Sequence, residues 1–226
     1  MKMNKKSVLF VALLVCAAAI LSLGTLAWFN ATDEITNKFM IADSNGDGTP
    51  DFSVEVWENE NDGDDTADAD GDQDPVKTHA GNEYDTIAPG DKLAKNPTVE
   101  NTGDYDQWIR VYVTFDEYSE IKNAYDDEGL AFDLREWLDV TSEWTADDTL
   151  TTVADNKVTY GYYLNRVLTK NGDLANLFTT VSIPTWFEQD DMQYVSGNFT
   201  ITVKAEAIQA DNTLPTAKET FEAYWG

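Results

Sequence analysis

The sequence predicts an all-β fold, an antiparallel β-sandwich of the jelly-roll type with minor helices, preceded by an N-terminal signal helix. Aromatic and β-branched residues recur in short runs, and clusters of Gly, Asn, Asp and Pro between the runs are typical of turns. The sequence does not show the alternation of strands with helices that is typical of a parallel sheet. The pattern therefore favours an antiparallel sandwich or jelly roll.

The clearest strand prediction is Gln107–Phe115, where purely apolar side chains alternate strictly with aromatic, charged or polar ones. One face carries Ile109, Val111, Val113 and Phe115, and the other carries Trp108, Arg110, Tyr112 and Thr114. The segment Phe199–Gln209 repeats the pattern, with Phe199, Ile201, Val203, Ala205 and Ala207 on one face. Shorter predicted strands are Phe52–Trp57, Thr159–Leu168 and Thr179–Ile183.

Helices are minor in this prediction. Asp116–Tyr125 is expected to form a short crossover, and Thr216–Trp225 places Ala217, Phe221 and Tyr224 on one face of a last helix. Between the predicted strands, Glu58–Asp74 consists almost wholly of Asp, Glu, Asn and Gly and is expected to be a solvated loop.

The N-terminus has the features of an export signal. Lys2, Lys5 and Lys6 precede the uncharged apolar run Val8–Ala27, and Thr25 and Ala27 supply the small residues that a signal peptidase needs. We predict cleavage between Ala27 and Trp28; the alternative is a retained membrane anchor, because the run approaches the roughly 20 residues that span a bilayer. The predicted organisation is therefore a signal peptide at 1–27 and one β-sandwich domain at 28–226, with an acidic Asp-rich insertion at about 43–74.

Charge narrows the class of partner. Removing the three lysines of the signal from a chain of net charge −27 leaves −30, which argues against nucleic acid or an anionic membrane surface as partner. The signal also carries Cys16, the only cysteine, so the mature domain cannot use disulfides. Membrane contact is expected only through an uncleaved signal.

Two acidic segments have the spacing of calcium loops. In the first, Asp43, Asn45, Asp47 and Asp51 alternate around Gly48, which resembles the first half of an EF-hand loop. The second offers Asp68, Asp70, Asp72 and Asp74 with the same alternation. The sequence therefore predicts calcium as a cofactor; the alternative is a hydrophilic loop that binds nothing tightly.

Enzymatic chemistry has little support, and we predict that the protein is not an enzyme. His79 is the only histidine, so catalytic pairs built on histidine would all have to share that residue. The tryptophans that could stack on sugars are explained as readily by packing in a core. No catalytic residue is assigned.

Several short motifs together resemble the TasA/camelysin family, whose signals are processed by the dedicated peptidase SipW. They are the signal end Leu23–Phe29, then Ala88–Leu93, Pro97–Gly103, Gln107–Val111, Tyr160–Leu164, Leu177-Phe178 and Ala205–Ala210. The resemblance spans most of the chain and implies a jelly-roll sandwich, secretion by a Gram-positive bacterium and, as in the better-known members, fibre formation. The aspartate-rich segments depart from the family pattern, and no zinc-ligand set can be transferred from members classed as metallopeptidases.

Three hypotheses for the function remain. The first is a secreted structural protein of the cell surface or biofilm matrix that assembles with itself and with other matrix or surface proteins. In that hypothesis Trp28, Phe29, Asn30, Ala31 and Thr32 form an apolar-headed tail that adds a strand to a neighbouring subunit. The second is a monomeric, calcium-stiffened surface adhesion or binding module, and the third is a metallopeptidase.

Overall fold

The computed structural model describes residues 52–59, 77–84, 87–187, 199–210 and 214–225. Within them the chain forms ten strands, two α-helices and one 3-10 helix. The strands are β1 Val54–Asn59, β2 Lys77–Thr78, β3 Lys92–Ala94, β4 Thr98–Asn101, β5 Gln107–Phe115, β6 Trp144–Ala154, β7 Lys157–Leu164, β8 Leu174–Asn176, β9 Thr180–Ser182 and β10 Ile201–Gln209. The α-helices are α1 Tyr118–Asp127 and α2 Ala217–Trp225, and the 3-10 helix is Leu134–Trp137.

The strands form two four-stranded sheets and a small two-stranded one. The first sheet has the order β2-β1-β4-β8, the second has the order β10-β5-β7-β6, and β3 pairs with β9. All of these pairings are antiparallel. Apolar side chains from the first and second sheets meet in one buried cluster, so the predicted all-β, antiparallel sandwich is confirmed.

The core is built on the strands whose alternation was strongest. β5 has the predicted bounds, and Ile109, Val111, Val113 and Phe115 are fully buried. Each such side chain contributes about 1.5–3 kcal/mol through removal of its apolar surface from water. β10 begins at Ile201, two residues after the predicted start, and Phe199 is buried just ahead of it.

The shorter predicted strands exist with shifted ends. Phe52–Trp57 corresponds to β1 and Thr179–Ile183 to β9. The prediction Thr159–Leu168 runs too far, because β7 ends at Leu164; the chain then bends, and Leu168 makes an isolated bridge to Gln107 in β5.

Both predicted helices exist, with two differences. α1 begins at Tyr118 because Glu117 adopts a left-handed φ of 54° and the Asp116 carboxylate accepts a hydrogen bond from the Thr200 backbone at 2.6 Å. In α2, Ala217 and Phe221 are buried as predicted, but the assignment of Tyr224 to that face is wrong. Its side chain is 64% exposed.

Helix α2 covers the outer face of the second sheet. Phe221 packs with Trp108 and Tyr163 in a small second cluster. The Arg110 guanidinium lies 4.4 Å from the centre of the Phe221 ring and is held there by Glu206 at 2.6 Å. The face of β5 that carries Trp108 and Arg110 is therefore the surface against which the last helix packs.

The acidic insertion predicted at about 43–74 is not continuous, because β1 lies inside that range. Glu58 belongs to β1 and is buried, so its assignment to the solvated loop Glu58–Asp74 is a correction. The strand carries valine at 54 and 56 on its core face, and Glu58 continues the same alternation.

Strand β6 is the longest strand of the second sheet and lies at its edge. Its register with β7 shifts between Asp147 and Thr152, and the bulge places Leu150 over the backbone of Gly161. A Cβ on Gly161 would lie 2.6 Å from Leu150 Cδ1 and would also meet Leu150 Cβ, so only glycine fits there.

No helix in the described ranges is long and apolar enough to cross a membrane. The predicted signal peptide, residues 1–27, lies outside those ranges.

Candidate functional site

Most of the residues that sequence analysis assigns to sites lie outside the described part of the chain. These are the predicted metal ligands Asp43, Asn45, Asp47, Asp51, Asp68, Asp70, Asp72 and Asp74, the cleavage residues Ala27 and Trp28, and the assembly segment Trp28, Phe29, Asn30, Ala31 and Thr32. Calcium binding, processing and strand donation therefore stay predictions. Within the described residues, no group of three or more His, Cys, Asp or Glu side chains is placed to hold a metal ion.

His79 lies in the described part of the chain, near one carboxylate. Its Nε2 atom lies 3.6 Å from a Glu55 carboxylate oxygen, and the side chain is about half exposed.

The most unusual group of side chains is a buried cluster of Glu58, Lys95 and Asn82. Lys95 Nζ lies 2.7 Å from Glu58 Oε1, and the Asn82 side-chain amide donates to Glu58 Oε2 at 3.1 Å. The side chains of Lys95 and Glu58 are 0% and 1% exposed, and Asn82 is 4% exposed. Charged side chains are almost never buried to this degree unless they are paired.

Three separate parts of the chain bring these residues together. Glu58 comes from the core face of β1, Asn82 follows β2, and Lys95 follows β3. The Lys95 backbone N–H donates to the Thr179 carbonyl at 3.1 Å, next to β9, which fixes the depth of the lysine. The Asn82 amide also donates to the Asn59 carbonyl at 2.8 Å, so its orientation is fixed from two sides.

The chemistry of the cluster is that of one carboxylate in contact with an amine and a carboxamide. A carboxylate in such a position can accept a proton from one nitrogen and deliver it to the other. Water is largely excluded, so hydrolysis of the Asn82 carboxamide would not compete with a reaction between that carboxamide and the Lys95 amine. Sequence analysis missed this cluster because it took Glu58 for part of an acidic loop and gave Lys95 no role. The signal was present in the period-two spacing that puts Lys95 in phase with the buried Leu93.

A second feature is an open cleft of about 500 Å³ beside α2. Its wall includes Trp108, Tyr163, Asp147 and Lys218, and an ion pair between Lys218 and Asp147 ties the start of α2 to strand β6. The hydrogen bond from Lys218 lowers the pKa of Asp147 to about 2, and hydrogen bonds from Thr149 act in the same direction. Asp147 therefore stays ionised at neutral pH, and the ion pair holds the helix against the edge of the sheet.

Comparison with known proteins gives little. No protein-family model matches the sequence, and no curated protein matches it. Among solved structures, the chain is similar to a type III cohesin module from the cellulosomal ScaE cell-surface anchoring scaffoldin of Ruminococcus flavefaciens. The identity is 10%, the alignment covers 77% of this chain and 98% of that chain, and the TM-score is 0.25. A likeness this distant carries no argument about fold or function.

Proposed function

We propose that this protein is a secreted, non-enzymatic structural subunit of a cell-surface or biofilm matrix, and that copies of it assemble by strand addition. The export signal, the acidic composition and the resemblance to the TasA/camelysin family support the proposal from the sequence. The finer assignment of the sandwich to the jelly-roll type, and the extracellular location in a Gram-positive bacterium, are parts of the same proposal.

The observation that carries the proposal is that strand β6 is a long, exposed edge strand. It is eleven residues long, it is the edge of its sheet in the described residues, and most of its residues are exposed. An edge strand presents main-chain N–H and C=O groups that can pair with a strand from another chain. Val153 in this strand is 53% exposed, which gives an incoming strand one apolar position to pack against.

The proposed occupant of this edge is the segment Trp28–Thr32 of a second copy. Its apolar head, Trp28-Phe29, supplies anchors, and the absence of acidic side chains in the segment suits a neighbour that is strongly negative. A contact between the start of one subunit and the edge of the next is heterologous, so it extends into a filament.

Calcium has a place in this proposal as a promoter of assembly. Subunits of net charge near −30 repel one another, and binding of calcium at the Asp43–Asp51 and Asp68–Asp74 segments would reduce that repulsion. The second candidate function, a monomeric calcium-stiffened adhesion module, would use the same ion without the polymer.

The experiment that tests the proposal compares two lysine substitutions at exposed apolar residues. Val153→Lys puts a charge in the path of the incoming strand and is expected to abolish filaments seen by negative-stain electron microscopy. Leu130→Lys is the matched control, because Leu130 is 43% exposed but lies in the loop after α1. It should form filaments like the unmodified protein. Filaments of equal length in both variants would show that β6 is not the accepting edge, and a protein that stays monomeric with calcium would favour the adhesion module.

A further inference from the structure

We propose that Lys95 and Asn82 become joined by an intramolecular isopeptide bond, and that Glu58 is the catalytic residue that moves the protons. The bond would link Nζ of Lys95 to Cγ of Asn82. It requires no other enzyme and no cofactor, and it is independent of the proposed function in matrix assembly.

The positions of the two reacting groups favour the bond. A single carboxylate holds the two reacting groups, since Lys95 Nζ lies 2.7 Å from one oxygen of Glu58 and Asn82 Nδ2 lies 3.1 Å from the other. The second hydrogen bond of Asn82, to the Asn59 carbonyl at 2.8 Å, limits rotation of the amide. Two reacting groups that are bound by the same carboxylate react at effective concentrations far above those in solution.

The burial of the ion pair between Lys95 and Glu58 also favours the bond. Lys95 and Glu58 are 0% and 1% exposed, so both charges of the pair are removed from water. Burial of a charged pair is costly even when its geometry is good. Proton transfer within the pair gives an uncharged amine, which is the form that attacks a carbonyl carbon, and the final amide carries no charge at all. Formation of the bond therefore relieves an electrostatic cost that the fold imposes.

The reaction balances with these three groups alone. Glu58 accepts a proton from the Lys95 ammonium, and the free amine then attacks Cγ of Asn82 to form the new C–N bond. The attacking nitrogen loses a second proton, which passes through Glu58 to Nδ2. The bond between Cγ and Nδ2 breaks with its electron pair on nitrogen, which leaves as ammonia, and Glu58 keeps the remaining proton. A lysine ammonium, a glutamate carboxylate and a carboxamide thus become a secondary amide, a carboxylic acid and one ammonia molecule, so no charge is left in the core.

The bond would have a structural effect like that of a disulfide. It would close the segment between residues 82 and 95 and tie the end of β3 to the segment after β2, beside the buried end of β1. A cross-link of this kind stabilises a domain largely by restricting its unfolded state. The only cysteine of the chain is Cys16, in the predicted signal, so an isopeptide bond would supply a covalent link that the mature domain cannot form with sulfur.

Peptide mapping of the purified full chain by mass spectrometry tests the proposal. Trypsin cleaves after lysine and arginine, so an unlinked chain gives peptide 78–92, which holds Asn82, separately from residues beyond Lys95. A linked chain instead gives one branched product in which 78–92 is joined to 93–110. That product is lighter than the sum of its parts by one ammonia, about 17 Da, and is not cut at Lys95. Lys77, which is exposed and pairs with Glu100, should be cleaved in the same digest and serves as the internal control.

Two variants assign the roles. Glu58→Gln keeps the size of the side chain but cannot shuttle the proton, and Lys95→Met removes the nucleophile, so the branched peptide should be lost in both. Circular dichroism verifies that each variant folds, and the result from the unmodified chain does not depend on either of them. Recovery of 78–92 unlinked from the folded chain would overturn the proposal. The proposal would also be overturned if peptide 78–92 lost ammonia while the chain was still cleaved at Lys95. A branch to the peptide 39–77, which carries Asn59, would overturn it as well.

Discussion

Replacement of Glu58 by alanine is expected to lower the free energy of unfolding by about 3–5 kcal/mol, which is the usual cost of removing one partner from a buried ion pair. The reason is that Lys95, fully buried, would lose the carboxylate 2.7 Å from its amine and could not reach water without opening the core. Asn82 would lose its contact with Glu58 as well. The isopeptide bond would not form in this variant, and its absence acts in the same direction. Urea unfolding followed by circular dichroism measures the change.

The matched control is an ion pair of similar chemistry at the surface. Lys122 Nζ lies 2.7 Å from a carboxylate oxygen of Asp126 in α1, but the two side chains are 37% and 56% exposed. Asp126→Ala is therefore expected to cost no more than about 0.5 kcal/mol. If Glu58→Ala were as mild as Asp126→Ala, the burial of Lys95 would not be a feature of the folded protein.

Deletion of Trp28–Thr32 is the second change with a large expected effect. We expect the exported protein to form filaments and the deletion to leave a folded monomer, because the segment is the proposed donor of the added strand. Light scattering detects the loss of large particles, and electron microscopy detects the loss of filaments. A shuffled tail with the same five residues but with Trp28 and Phe29 moved to its end is the control for length and composition. Filaments from the deleted chain would exclude this segment as the donor.

The sandwich was predictable because its central strands are buried on one face in strict alternation. β5 and β10 each carry at least four apolar residues at every second position, and the structure pairs them residue by residue from Gln107 opposite Gln209 to Phe115 opposite Ile201. A one-residue shift would turn every one of these side chains away from the core, so the pattern determines both the strands and their facing sides.

The elements that sequence analysis missed lack that alternation. β6 is exposed on most of its length and consists largely of Thr, Asp and Ala, so its residues have no buried face to mark them. The strand is formed by pairing with β7 and by the bulge that seats Leu150 over Gly161. These are contacts between the two strands of a hairpin, which the alternation within one strand does not encode.

The Glu58–Lys95–Asn82 cluster was missed for a different reason. Charged residues are expected at the surface, and Glu58 adjoins a run of acids that supports that expectation. The alternation from Val54 through Val56 does place Glu58 on the core face, but the pattern alone cannot show that a lysine from another segment arrives to pair with it. Pairs of buried charges are a property of the folded chain.

The most direct test of assembly by strand addition is a disulfide between the donor segment and the accepting edge. The predicted mature chain has no cysteine, so a pair introduced at Ala31→Cys and Val153→Cys would be the only thiols present. A second pair, Thr32→Cys with Val153→Cys, covers the opposite face of the donated strand. We expect oxidation of filaments from one of the two pairs to give a ladder of covalent oligomers on a non-reducing gel, and each single-cysteine variant to give no band larger than a dimer. Oxidation that yields only a cross-link within one chain, or no ladder from either pair, would contradict strand addition between subunits.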